Sequence, residues 1–241
     1  MKKYFKWNNV RLILMFGLIL FLYSFTSLRN EHRKLVKSDI VITGDGGLYI
    51  PYETVNKLLI ENKNHVTAIE KEQLDLNKLE KALNNHSMIE KSEVFVTVDG
   101  VLKAVVKQKT PVVRVIDETG SFYIDYQGDK MPLSEIQSAR IPLVSGPIEL
   151  INSGNLHELF RIIYDDDFLR KNIIGIEVMQ NGSIRLANRN YDYVIDFGSA
   201  KSIKRKFENY KAFFQKASAD NSLEKYKKVN LKFTQQVVCT K

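Results

Sequence analysis

KQKTPVVRV, residues 107–115, sets a proline inside what otherwise reads as one β-strand. Val101 to Val106 upstream and Val112 to Ile116 downstream are rich in β-branched side chains, which suit a pleated backbone. Proline has no backbone N–H and cannot donate to a ladder, so Pro111 is foreign to a central strand. Either one edge strand tolerates the break, or two strands of different units meet at Thr110-Pro111. The segments on either side decide which.

Upstream, residues 35–43 alternate with Val36, Ile40 and Ile42 apolar, which predicts a strand ended by a turn at Gly44-Asp45-Gly46-Gly47. A phosphate-cradling loop would need a following Lys-Ser/Thr, and that pair is missing. Residues 52–62 have helical spacing at Val55, Leu58 and Leu59. Asp75 or Asn77 caps a second helix through residue 85. Two alternating runs then flank Asp99-Gly100, a strong hairpin signal in which both turn residues are expected at positive φ. The order β-α-α-β-β within about 75 residues is that of one small domain.

Downstream the pattern changes. Residues 112–117, 121–125 and 141–144 read as short strands, and residues 156–169 as one amphipathic helix. Residues 173–179 and 183–187 flank Asn181-Gly182, a second hairpin signal, and residues 193–197 form another strand. Residues 200–217 carry Ile203, Phe207, Tyr210 and Phe214 at helical spacing, and residues 229–238 predict a terminal strand. The fold class is α+β, with a sheet and two or three helices in this second unit.

The chain has 241 residues, 44% hydrophobic and 27% charged, with a formal charge of +8. Four of those charges, Lys2, Lys3, Lys6 and Arg11, precede a run that is uncharged from 12 to 25. Arg29, Arg33, Lys34 and Lys37 follow it, offset by Glu31. Such flanks suit anionic headgroups, and no basic stripe or aromatic nucleic-acid motif appears. Residues 10–28 would span roughly 28 Å as a helix, close to the hydrocarbon thickness. Trp7, Tyr4 and Tyr23 lie where interfacial aromatics belong. The rival is a cleaved signal peptide, against which Ser24-Phe25-Thr26-Ser27 is a poor cleavage site. The expectation is a cytoplasmic tail at 1–11, a transmembrane helix at 12–28 and the bulk outside.

Catalytic chemistry finds no foothold. Cys239, the single cysteine, permits no intramolecular disulfide and has no base beside it. His32, His65, His86 and His157 have no ligand spacing, so no metal is expected. Asp165, Asp166 and Asp167 lack the alternation of a calcium loop and read as a solvated face. No cofactor motif, Gly-x-Ser-x-Gly or His-Glu-x-x-His occurs. The residues describe a membrane-anchored, non-enzymatic module without a small-molecule substrate.

Three stretches carry a family likeness: Gln108-Lys109-Thr110-Pro111-Val112, Tyr123-Ile124-Asp125-Tyr126-Gln127-Gly128 and Pro142-Leu143-Val144-Ser145-Gly146. Together with the terminal YKKVNLKFTQQVVC, they make the chain resemble the bacterial cell-division proteins FtsQ and DivIB. Asn230 and Lys232 stand where that family's final strand has Asp and Arg. The resemblance implies a POTRA domain at 36–108 joined directly to a β domain at 110–241, with Thr110 and Pro111 as a stiff junction. It also implies a scaffold at the septum of the cytoplasmic (inner) membrane, bound to FtsB- and FtsL-type single-span partners. The FtsB-type partner would add a strand to the terminal edge, at Phe233, Gln235 and Gln236 with neighbouring Leu231 and Val237. The alternative is a POTRA-bearing component of a translocation or secretion system. That reading would need POTRA repeats or a barrel, and neither pattern follows.

Overall fold

The computed structural model describes residues 7–31, 34–44, 47–60, 74–117, 120–151 and 154–241. Lys2, Lys3, Tyr4, Lys6, His32, Arg33, Asp45, Gly46, Asn62, His65 and Thr119 lie outside these residues. The chain divides into two compact units, Met1–Thr43 with Ile50–Lys107, and Gly44–Tyr49 with Gln108–Lys241.

The first unit opens with α1 (Trp7–Glu31), whose apolar side chains from Leu12 to Phe25 are exposed on every face. Its Asn9–Ser27 stretch of 19 residues is long and apolar enough to cross a membrane. Then come β1 (Lys37–Thr43), α2 (Tyr52–Ile60), α3 (Leu76–Asn84), β2 (Ile89–Val96) and β3 (Val101–Gln108). The three strands form a sheet in the order β1-β3-β2, with β1 parallel to β3. Asp75 caps α3 as its carboxylate accepts the Lys78 N–H at 3.0 Å. Val55, Leu59, Leu79 and Leu83 are buried with Leu102, Ala104 and Val106 in the unit's core.

One edge of this sheet is closed by side chains. Asn84 Oδ1 accepts the Ser92 N–H at 2.7 Å, and Glu80 Oε1 accepts the Val94 N–H at 2.8 Å. Glu80 and Asn84 are four apart on α3, so one face of the helix reaches both donors of the strand beside it. Unpaired edge donors are templates for foreign strands, and these two are already occupied.

The second unit runs β4 (Pro111–Asp117), β5 (Gly120–Asp125), β6 (Lys130–Met131), β7 (Leu143–Ser145) and α4 (Ile148–Ile151). It continues through α5 (Gly154–Asp165), α6 (Asp167–Asn172), β8 (Ile173–Val178), β9 (Ile184–Asn188), β10 (Val194–Gly198) and α7 (Ile203–Ala219). It closes with β11 (Lys228–Asn230) and β12 (Val238–Thr240). All nine strands form one mixed sheet in the order β12-β11-β10-β9-β8-β7-β4-β5-β6. Its core gathers Val113, Val115, Val144, Ile176, Leu186, Ile195 and Phe197 from the strands with Leu159, Phe160, Ile163, Phe207 and Tyr210 from the helices.

Pro111 turns out to open an interior strand, since β4 lies between β7 and β5. It is tolerated because it is the strand's first residue, sits at a register shift against β5, and precedes the Arg114↔Leu143 pairing with β7.

Three expectations need correction. Asp99 and Asn181 are not at positive φ; only Gly100 (82°) and Gly182 (76°) are. Gly100 N–H donates to Thr97 O at 3.0 Å and Thr97 N–H to Val101 O at 2.9 Å, and Met179, Gly182 and Ser183 repeat the pattern. This is the longer hairpin loop, a type I turn closed by one left-handed residue, so glycine is required only at its end. The helix expected over 156–169 is two helices, because Asp166 leaves the helical conformation and accepts the Phe168 and Leu169 N–H groups as the cap of α6. Finally, residues 229–238 are not one strand. They comprise the last two residues of β11, an irregular connection, and the first residue of β12, which folds back antiparallel to β11.

Candidate functional site

The family-like stretches around the proline meet in space and hold the fold. Lys109 Nζ lies 2.9 Å from Asp125 Oδ2 and 3.1 Å from Asp129 Oδ2, with the Asp125 side chain only 1% exposed. Asp125 Oδ1 accepts the N–H groups of Gln127 and Asp129, and Tyr126 N–H donates to Thr110 O. Burial pushes the Lys109 ammonium down, but its hydrogen bonds to Asp125 and Asp129 outweigh that and hold it above its ordinary range. Gln108, 2% exposed, accepts the Tyr49 N–H at 2.9 Å and donates to Gly47 O. These motifs close a turn and brace a strand end, which is structural work.

The acidic triplet faces solvent at Asp165 and Asp167, as expected, and it also makes local contacts. Asp165 accepts the Tyr126 hydroxyl at 3.0 Å, Asp166 caps α6 and pairs with Lys211, and Asp167 pairs with Arg170. Burial raises the Asp166 carboxyl, but Lys211 and the two capping N–H groups outweigh it and hold it low. No group of metal-ligating side chains occurs among the described residues.

The far end of the nine-stranded sheet offers an open edge. Among the described residues β12 pairs with β11 alone, through Lys228↔Thr240, Val229↔Cys239 and Asn230↔Val238. Leu231 N–H donates to Asp196 O and Val194 N–H to Lys227 O, so odd-numbered residues of β11 turn their backbone toward β10 and even-numbered ones toward β12. Val238 and Thr240 therefore face β11, and Cys239 turns its N–H and C=O outward. Its thiol is half-buried against the core, which raises it above its ordinary value.

Between β11 and β12 lie the expected partner-binding residues, in a connection rather than on a strand. Phe233 is 52% exposed, Gln235 and Gln236 are exposed, Val237 is half-buried, and Leu231 is wholly buried. Leu231 is thus a core residue. The strand breaks because the Asn230 side chain accepts the Lys232 N–H at 3.0 Å, a local turn that competes with the ladder.

The connection is pinned. Lys228 Nζ and Lys232 Nζ both lie 2.9 Å from Asp196 Oδ2, and Asn209 donates to Thr234 O at 3.0 Å. Burial raises the Asp196 carboxyl, but hydrogen bonds from Lys232 and Lys228 and their charges outweigh it, holding it below the usual carboxylate range. Gly198, at φ 73°, lets Lys232 cross close by: a Cβ there would stand 2.8 Å from Lys232 Cγ. A buried acid between two lysines was not visible in the sequence, because Asp196 is 32 residues or more from both. The only signal was Asp196 inside an apolar strand.

An apolar helix of membrane-spanning length followed by α+β units, the last a large mixed sheet, fits a single-pass membrane protein. Residues 110–240 match the model of the family described as FtsQ/DivIB, C-terminal related, and the chain belongs to that family. It is a family of non-enzymatic division proteins, which gives this chain a role in cell division. No curated protein matches the chain.

Proposed function

We propose that the protein is a membrane-anchored division scaffold whose β12 edge receives an extended strand from an FtsB-type partner, itself joined to an FtsL-type protein. The observation that carries this reading is the outward-facing backbone of Cys239 on an edge strand that begins at exposed Val238 and follows the connection carrying exposed Phe233. Strand addition satisfies the open N–H and C=O groups, while an exposed aromatic supplies the anchoring contact. Gln235 and Gln236 add amide donors and acceptors at the rim. In this reading α1 anchors the chain in the cytoplasmic membrane with the residues after it outside, at the septum, and residues 36–108 form a POTRA domain.

The test is binding of the partner's soluble segment to the full-length protein in nanodiscs. Cys239→Pro removes the outward N–H at a position where proline does not break the β11 ladder. Loss of binding in this variant and in Phe233→Ala, with unchanged thermal unfolding, is expected. Retained binding by a folded Cys239→Pro protein would refute strand addition.

A further inference from the structure

Away from the β12 edge, the second unit holds an open cavity of about 810 Å³ that the scaffold reading does not use. That volume lies within the range of roughly 300–1,000 Å³ found for binding pockets. Its floor is apolar and fixed. Tyr49 and Pro111 are buried there beside Ile141. Both backbone groups of Tyr49 are engaged, its N–H by Gln108 Oε1 at 2.9 Å and its C=O by the Ser134 hydroxyl at 2.6 Å. The wall that carries Gln137 and Arg140 is an irregular strap, yet it is held. Ser134 Oγ accepts the N–H groups of Ile136 and Gln137, and Ala139 N–H donates to the Tyr123 hydroxyl.

The rim carries the charge. Arg170 is held in place by its pair with Asp167, by a hydrogen bond to Tyr164 O at 3.3 Å and by its position 5.7 Å over the Tyr164 ring. A guanidinium has five N–H donors, so these contacts leave others free. Arg140 is exposed and has no carboxylate partner among the described residues. Among the described lining residues the one carboxylate, Asp165, already accepts the Tyr126 hydroxyl, and Arg161 lies 4.5 Å over the Tyr126 ring. The lining therefore combines Arg140 and the Asp167-paired Arg170 with Tyr49, Tyr164, Pro111 and Ile141. Arginine and tyrosine, with tryptophan, are enriched among the residues that dominate binding at protein interfaces.

We propose that this cavity docks an acidic peptide segment of a partner protein, one carboxylate held by Arg140 and Arg170 and an adjacent apolar side chain seated on Pro111 and Ile141. Charge complementarity selects the carboxylate, because a guanidinium fork matches its two oxygens. The apolar floor selects a peptide over a free small anion, which would leave Tyr49, Pro111 and Ile141 uncovered. The site is separate from the β12 edge and does not rest on the strand-addition reading.

The test uses full-length protein in nanodiscs and a fluorescein-labelled nonapeptide of alternating Glu and Leu, read by fluorescence anisotropy. Saturable binding is expected, weakened at least tenfold by Arg140→Glu, whose exposed position on the strap spares the core. The same peptide with Gln for Glu should bind at least tenfold more weakly, and Phe233→Ala should leave binding unchanged. Equal binding of the Gln peptide, unchanged binding by Arg140→Glu, or displacement of the peptide by equimolar acetate would each overturn the proposal.

Discussion

Lys232 Nζ lies 2.9 Å from Asp196 Oδ2, a carboxylate only 5% exposed, and this pair ties the connection carrying Phe233 to strand β10. Lys228 approaches the same oxygen at the same distance from the strand on the other side of the turn. One buried acid thus organises the start and the end of the β11 turn.

Asp196→Asn should destabilise the protein by about 1–3 kcal/mol near neutral pH, the usual cost of losing a charged hydrogen-bond partner at a buried site. The sign with pH follows from the lowered carboxyl. A depressed acid contributes fully above its unfolded value of about 3.9, and that contribution fades as pH falls through the lower folded value. Urea midpoints measured from pH 7 to pH 3 should therefore fall more steeply for the parent protein than for the variant. Parallel curves would remove Asp196 from this role.

Lys109→Met should cost more, about 3 kcal/mol or above, because it strands Asp125 as a buried charge without its partner. Lys109 is held above its ordinary range, so its contribution is complete below about pH 10.4 and is lost as pH rises through the folded value. Adding Asp125→Asn to the variant should recover part of the loss. A double variant no better than Lys109→Met alone, in chemical unfolding, would contradict the pairing.

Replacing Glu80 and Asn84 together by alanine should uncover the Ser92 and Val94 N–H groups. Each lost hydrogen bond is expected to cost about 0.5–1.5 kcal/mol. Amide exchange at Ser92 and Val94 should accelerate relative to β3, and the protein should associate more readily at high concentration. Unchanged exchange at both amides would show that other groups protect this edge.

Phe233→Ala should change unfolding stability by no more than about 0.5 kcal/mol, as expected for an exposed side chain. Leu231→Ala, at a wholly buried position, should cost about 2–5 kcal/mol. Thermal melts of the two variants separate a surface residue from a core residue two positions away. Equal losses would mean that Phe233 is packed.

Much of the α+β layout was legible because its signals are local. Apolar spacing placed α2, α3 and α7, Asp75 marked the start of α3, and glycine marked the loop ends. The break after Asn230 was not legible, because residues 229–238 have enough β-formers to pass for one strand. What ends β11 is a hydrogen bond from the Lys232 N–H to the Asn230 side chain and an anchor on Asp196, neither of which has a local pattern. The split at Asp166 escaped for a similar reason, since the apolar stripe continues through the cap into α6.

The sequence by itself determined that the chain has an apolar N-terminal helix, a break at Pro111 and a strand-rich C-terminal unit, and it carried the FtsQ/DivIB likeness. Those features rest on composition, period and the chemistry of single residues. Only the tertiary structure decided that Pro111 opens an interior strand, that Leu231 is core, and that Cys239 turns its backbone to the open edge. Each of these depends on which strand lies beside which. Strand neighbours are chosen by packing over long sequence separations, which no local pattern of residues records.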